Sequence, residues 1–227
     1  MRRIAIGDIH GCNRTFRTLL ERLAPARGDE IVLLGDLIDR GPDSKGVVDT
    51  VMELRQSGVS VVALLGNHEQ AFLASLRDPD VLPRWLHPYG GEATAISFGV
   101  GYPWDLDETY LNFFREMPLY YEVDGYLFVH AGLDFGVADP LSARESMTLI
   151  RHWEDDVNYD WLGERRILYG HTPRPKHLIE GMHRQFPSRR VLCLDAGCVY
   201  GAFEEGLGYL TACDLTADTL YFEFKAD

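Results

Sequence analysis

No apolar run in this 227-residue sequence is long enough to cross a bilayer. Ile4 begins a strand-like run directly after Met1-Arg2-Arg3, with no signal-peptide core between them. The expected address is therefore the cytoplasm, with no membrane attachment. Cysteine is scarce, and Cys12, Cys193, Cys198 and Cys213 make no CxxC pair. That spacing offers neither a disulfide framework nor a thiolate zinc cage, so all four read as small core residues. Cations are few as well: 22 Lys and Arg face 35 Asp and Glu, for a net charge of -13. Binding to a phosphate backbone draws on clustered Lys and Arg, so no nucleic-acid partner is expected. Low-complexity segments and composition breaks are absent too. Residues 1–227 read as a single domain with one substantial core.

What is present begins with a repeated unit. Short, largely β-branched runs at Ile4–Ile6, Ile31–Leu34 and Val61–Leu65 each end in glycine and a polar residue, the grammar of consecutive βαβ units in a mostly parallel sheet. Phe16, Leu19, Leu20 and Leu23 share one helical face. Val47, Val48, Val51, Met52 and Leu54 share another, with Asp43 or Ser44 placed to cap that second helix and Gly58 to end it. The stretch from Asp78 to Asp107 lacks periodicity and predicts loops and short helices. Asp124-Gly125 marks a hairpin between Leu119–Val123 and Tyr126–Val129. Strands are predicted at Arg166–Tyr169 and Val191–Leu194, a helix between Ser142 and Glu154, and a closing hairpin over Leu207–Phe224.

In a parallel α/β sheet, ligands gather at the carboxyl ends of the strands. Asp8 and His10, Asp36, and Asn67 and His68 all follow predicted strands, as do His130 and His171. Asp8 and His10 are two apart, so an extended backbone points both the same way, and Gly7 and Gly11 let the chain turn closely around an ion. A lone Gly-Asp after a strand is usually only a turn. Turns alone, however, give no reason for five strand ends to carry metal-capable side chains. Carboxylates, a carboxamide and imidazoles form a borderline donor set suited to Mn, Fe or Zn.

The blocks Gly7-Asp8-Ile9-His10-Gly11, Gly35-Asp36-Leu37-Ile38-Asp39-Arg40-Gly41 and Gly66-Asn67-His68-Glu69 resemble the signatures of the phosphoprotein phosphatase branch of the calcineurin-like metallophosphoesterases. His130-Ala131-Gly132 and Gly170-His171-Thr172-Pro173 resemble its two later histidine blocks. The short length and the Trp85 to Thr94 segment look like the small bacterial and phage-type serine/threonine phosphatases. The resemblance implies an α/β fold of two mixed β-sheets packed as a sandwich and flanked by helices. It implies two divalent metal ions, Mn before Fe or Zn, held by Asp8, His10, Asp36, Asn67, His130 and His171, with Asp36 bridging. His68 would be the general acid, oriented by Asp39. Arg40, Asn67 and a second arginine, Arg151 with Arg144 as its rival, would hold phosphate oxygens.

The physical chemistry agrees with those roles. Two cations about 3.5–4 Å apart can generate hydroxide at neutral pH and hold a phosphate for direct in-line attack. A protonated imidazole can supply the departing oxygen, and a guanidinium fork matches phosphate geometry. The expected activity is hydrolysis of phosphoserine or phosphothreonine in proteins, or of small phosphoesters. Dinucleoside tetraphosphate hydrolysis on the same core is the first alternative, and an inactive scaffold or binding module the second. The scaffold reading is disfavoured because every ligand and the acid are present. Asp195 reads as a turn residue, and His87, His152, His177 and His183 receive no role.

Overall fold

Short apolar strands need cover on both faces, and here two sheets and a layer of helices provide it. The computed structural model describes residues 1–203 and 205–227. Strands β1 (Arg3–Ile6), β2 (Glu30–Leu33) and β3 (Ser60–Ala63) pair in parallel, with Ile4 opposite Ile31 and Ile31 opposite Val61. Their crossovers are α1 (Asn13–Leu23) and α2 (Ser44–Ser57), as the periodicity predicts. Asp43 is the cap of α2, its carboxylate accepting the Gly46 N–H at 2.9 Å, which frees the Ser44 hydroxyl for another use.

Helix α3 (Asn67–Ser75) follows β3. The aperiodic stretch forms α4 (Leu82–Leu86), α5 (Gly91–Phe98) and two 3-10 turns, and α6 (Glu108–Arg115) comes next. Asp124 and Gly125, at φ 47° and 77°, turn the expected hairpin between β4 (Tyr120–Val123) and β5 (Tyr126–Val129). The helix predicted between Ser142 and Glu154 shrinks to α7 (Ser146–Leu149), so Arg151 stands in a loop. Then come α8 (Tyr159–Leu162), β6 (Arg166–Tyr169), α9 (Lys176–Arg189), β7 (Val191–Cys193) and β8 (Asp195–Ala196). The hairpin of β9 (Tyr209–Asp214) and β10 (Thr219–Phe224) closes the fold.

The parallel β1-β2-β3 that the repeat pattern predicts is one part of a two-sheet sandwich, the fold that the family resemblance implies: β10-β9-β1-β2-β3, with β8 beside β9, and β4-β5-β6-β7. The returning β9 lies antiparallel against β1, with Ala5 opposite Cys213. Side-chain alternation then builds three apolar layers. Ile4, Ile6, Ile31 and Leu33 face α1 and α2; Ala5, Val32, Phe128, Leu168 and Leu192 fill the space between the sheets; Leu127, Val129, Ile167 and Tyr169 pack under Met147, Trp153 and Leu162. Each such large side chain contributes about 1.5–3 kcal/mol on burial, so the layers fix the separation of the sheets. No helix among the described residues is long and apolar enough to cross a membrane.

A polar clamp ties the start of β1 to the approach of β2. The Asp29 carboxylate accepts Arg2 N at 2.9 Å, Ala26 N at 3.0 Å and two Arg2 guanidinium N–H groups. Hydrogen bonds from Ala26 and Arg2 hold its pKa at about 2, below the ordinary 3.8 and against the opposing effect of burial. A depressed carboxyl stabilises the fold fully above its unfolded pKa and loses that contribution as pH falls through the folded one. Asp29→Asn is therefore expected to lower the urea midpoint at neutral pH. The gap from the parent should close as pH falls from about 4 toward about 2. A gap independent of pH would show that the carboxylate charge is not what stabilises this corner.

Candidate active site

Five strand ends deliver the candidate ligands, three from one sheet and two from the other. Asp8 and His10 follow β1, Asp36 follows β2, Asn67 opens α3 after β3, His130 follows β5 and His171 follows β6. All six are more than nine-tenths buried. Asp36 is the hub: its Oδ1 lies 3.5 Å from His130 Nε2, and its Oδ2 lies 3.6 Å from His10 Nε2 and 3.9 Å from His68 Nε2. Asn67 Oδ1 lies 3.1 Å from His130 Nε2 and 2.9 Å from His171 Nδ1. Two potential ligand groups result, His10-Asp36-His68 and Asp36-His130-His171, with Asp36 common to both. Asp8 belongs to neither. Its carboxylate accepts the His171 backbone N–H at 3.1 and 3.2 Å, and only a glycine at 170 leaves it room, since a Cβ there would strike Asp8 Oδ1.

Backbone carbonyls set the imidazole tautomers. His10 Nδ1 meets the Ile38 carbonyl at 3.0 Å and His130 Nδ1 meets that of Leu34 at 2.7 Å. A carbonyl only accepts, so each Nδ1 carries the proton and each Nε2 turns a lone pair inward. Burial, then His68, holds His10 well below the ordinary imidazole pKa; burial lowers His130 against the pull of Asp36; burial and His130 take His171 down to about 3. Burial raises Asp36, but His130, His68 and His10 outweigh it and hold the carboxyl below the usual range. Burial, with Asp195 and Asp36, pushes Asp8 well above that range. The His130 lone pair thus faces Asn67 Oδ1 and Asp36 Oδ1, acceptor against acceptor. A divalent cation between such atoms satisfies all of them, and the mixed N and O donor set fits Mn, Fe or Zn.

Beside this cluster, His68 Nδ1 bonds Asp39 Oδ2 at 2.8 Å, and the His68 ring stands edge-on to His10 and to Tyr89. Burial opposes its charge, but Asp36 and Asp39 outweigh burial and raise its pKa. Arg40 Nη1 donates to His10 Nε2 at 3.0 Å. A cavity of about 100 Å³ opens here, lined by His10, Asp36, Arg40, Asn67, His68, Arg151 and His171. Arg144 instead lines a separate groove with Gln70, Arg77 and Arg115, so of the two candidate arginines Arg151 is the one at the cavity. His87, His152, His177 and His183 do not line it.

Several residues at the site had no assignment from sequence. Asp195, read there as a turn residue, lines the cavity and is 3% exposed; its Oδ1 accepts Gly197 N at 2.8 Å, and burial pushes its pKa to about 7. Its one signal is its position after β7, matching the other strand ends. Glu69 accepts four backbone N–H groups, from Leu37 (2.7 Å), Ile38 (3.3 Å), Asp36 (3.0 Å) and Gly66 (3.0 Å). Burial, then Asp36, pushes its carboxyl up to about 8, while four donors and no acceptor around it favour the anion. Trp85 and Thr94 both donate to Asp39. Their partners are distant in sequence, so no local pattern announces them. His10, Asp36, Asp39, Arg40 and His171 all sit at positive φ, between 48° and 72°. Such backbone costs roughly 1–3 kcal/mol per residue and gathers where the surroundings over-determine it.

A two-sheet sandwich with an Asp-centred histidine cluster at its mouth defines a metallophosphoesterase. Residues 1–204 match the family model for calcineurin-like phosphoesterases, and the chain belongs to that family. Among curated proteins, the symmetrical bis(5'-nucleosyl)-tetraphosphatase of Nitrosomonas europaea is 32% identical over 188 residues, covering 76% of this chain and 59% of that protein. The protein of the same name from Burkholderia mallei strain SAVP1 is 33% identical over 176 residues, covering 75% and 55%. The chain thus matches less than two thirds of the length of these relatives. Among solved structures, a candidate diadenosine tetraphosphatase superposes with a TM-score of 0.69 at 22% identity, covering 100% of this chain and 94% of the other. A serine/threonine phosphatase from Saccharomyces cerevisiae gives 0.62 at 16% identity, covering 100% and 80%. At such identities these likenesses show the fold.

The Glu69 clamp yields a stability prediction. Glu69→Ala strands four buried N–H groups, each worth about 1–3 kcal/mol when left unpaired. The variant is expected to lose at least about 3 kcal/mol of unfolding free energy in urea titration. A loss below about 1 kcal/mol would mean that water replaces the carboxylate, and that the loop is held by something else.

Proposed function

We propose that residues 1–227 form a single catalytic domain that hydrolyses dinucleoside tetraphosphates with two divalent metal ions, Mn foremost. The observation that carries the chemistry is Asp36, whose two oxygens each face a different imidazole within one buried cluster. In this reading Asp8 and His10 would hold one ion and Asn67, His130 and His171 the other, with Asp36, common to both ligand groups, serving each. Bound there, the ions would neutralise phosphate charge and supply a nucleophile from water at neutral pH. His68 donates its Nε2 proton to the oxygen that departs as the P–O bond breaks, while Asp39 keeps Nδ1 protonated and the ring in place. Arg40, Arg151 and the Asn67 amide hold non-reacting phosphate oxygens.

The substrate class rests on the curated relatives above 30% identity, which bear the tetraphosphatase name. This reverses the order of the two substrates expected from sequence. A phosphoprotein, the first expectation from sequence, is the outcome against which this substrate class is tested. The core chemistry is common to both, and substrate choice belongs to the loops around the cavity.

With Mn supplied and Asp36→Asn as the blank, kcat/KM on a dinucleoside tetraphosphate is expected to exceed that on a phosphoserine peptide by at least about tenfold. Preference for the peptide would overturn the substrate and leave the mechanism standing. Across substituted phenyl phosphates, His68→Asn should cost about 100-fold for phenyl phosphate and far less for p-nitrophenyl phosphate, whose leaving group hardly needs a proton. Equal losses would remove His68 from the acid role.

A further inference from the structure

The Asp39 carboxylate is fully buried and has three side-chain donors, two of which come from a segment outside the metal cluster. Its Oδ2 accepts His68 Nδ1 at 2.8 Å and also Trp85 Nε1 at 3.1 Å; its Oδ1 accepts the Thr94 hydroxyl at 2.7 Å. The single Thr94 hydroxyl proton is committed to that carboxylate. The 2.9 Å contact between the Thr94 and Ser44 hydroxyls therefore runs from Ser44 to Thr94. The Asp39 N–H in turn donates to Thr94 Oγ1 at 2.9 Å and to Ser44 Oγ at 3.1 Å. Thr94 thus grips both the backbone and the carboxylate of one residue, which itself stands at φ 72°.

Trp85 is fully buried and cannot easily move. Its ring packs against Phe72 of α3, the helix that begins with Asn67 and His68, and a Cβ at Gly91 would collide with the indole. The neighbouring Gly90 carbonyl accepts the Arg40 N–H at 3.2 Å. One stretch, α4 to α5, therefore touches Asp39 and Arg40 together while holding no candidate metal ligand.

We infer that Trp85 and Thr94 are positioning residues for the acid step: they fix the Asp39 carboxylate so that it can accept from His68 Nδ1 in only one orientation. The inference rests on the reading of His68 as the proton donor. A buried carboxylate with a single partner can rotate about its Cβ–Cγ bond and let the imidazole swing. Two further donors, one on each oxygen, remove that freedom. Thr94 on Oδ1 and Trp85 on Oδ2 leave His68 one lone-pair direction, which holds Nε2 toward the cavity. Pre-organisation of this kind acts on the step in which the proton moves, and leaves substrate binding alone.

The test uses Trp85→Phe, which keeps a smaller aromatic ring and removes the donor, and Thr94→Val, which keeps the shape and removes the hydroxyl, with Thr94→Ser as the conservative control. Steady-state kinetics are measured on the metal-loaded full chain with substituted phenyl phosphates, beside His68→Asn. Trp85→Phe and Thr94→Val are each expected to lower kcat by about tenfold on phenyl phosphate and by less than about threefold on p-nitrophenyl phosphate, with KM unchanged. Thr94→Ser should restore most of the loss. In the His68→Asn background neither substitution should cost anything more, because both act through that imidazole. If His68→Asn discriminates between leaving groups while Trp85→Phe and Thr94→Val do not, or if they still slow the His68→Asn enzyme, the positioning inference is overturned. If His68→Asn itself loses equally on every leaving group, the acid assignment fails first and takes this inference with it.

Discussion

Glu69 accepts four backbone N–H groups at once and so pins the loop that leaves β2 to the turn that enters α3. Asp36, Asp39 and Arg40 lie on one side of that junction, Asn67 and His68 on the other. A buried carboxylate is costly unless its lone pairs are filled, and four donors fill them. The result is a rigid bracket that can hold side chains at backbone angles they would not choose. The left-handed φ values of Asp36, Asp39 and Arg40 persist because both ends of the loop are tied. Asp36 reinforces the bracket from within, its Oδ1 accepting the His68 N–H at 3.1 Å.

The second constraint is the meeting of two sheets. Asp8, His10, Asp36 and Asn67 come from the ends of β1, β2 and β3, whereas His130 and His171 come from the ends of β5 and β6. The cluster exists only because the inter-sheet core of Ala5, Val32, Phe128, Leu168 and Leu192 sets the distance between those ends. Close packing makes that distance stiff, which a site with several ligands requires. The carbonyls of Leu34 and Ile38, both near the end of β2, also fix the tautomers of His130 and His10. The same strand end thus supplies the hub carboxylate and prepares two of the imidazoles around it.

Around this stiff centre the fold is permissive. A candidate tetraphosphatase and a yeast serine/threonine phosphatase superpose on the whole chain, so the scaffold itself does not choose between an anhydride and an ester. Arg151, Tyr200 and Asp195 also border the cavity, and the Trp85–Thr94 stretch brings Tyr89 edge-on to His68.

Local pattern was enough for much of this protein. Short β-branched runs ended by glycine gave β1, β2, β3 and β6 to within a residue or two; Asp124-Gly125 gave the hairpin, because only a few residues accept its left-handed turn. The candidate ligands were legible too, since a polar residue directly after a strand has few other reasons to be a histidine or an aspartate at five separate ends. Pairing between distant strands was not legible in the local pattern: the repeat gave only the parallel β1-β2-β3, the second sheet was expected from the family resemblance, and nothing local announced that β9 closes the edge of β1. The roles of Trp85 and Thr94 stayed hidden for the same reason: 46 residues separate Trp85 from Asp39, and 55 separate Thr94 from it. Sequence placed Arg151 ahead of Arg144 on its surroundings alone; the loop after α7 brings Arg151 to the cavity, whereas Arg144 stands at a separate groove. Periodicity and turn chemistry act over a few residues and fix elements and their ends, whereas partners that meet across the molecule are chosen by packing, which only the assembled sandwich contains.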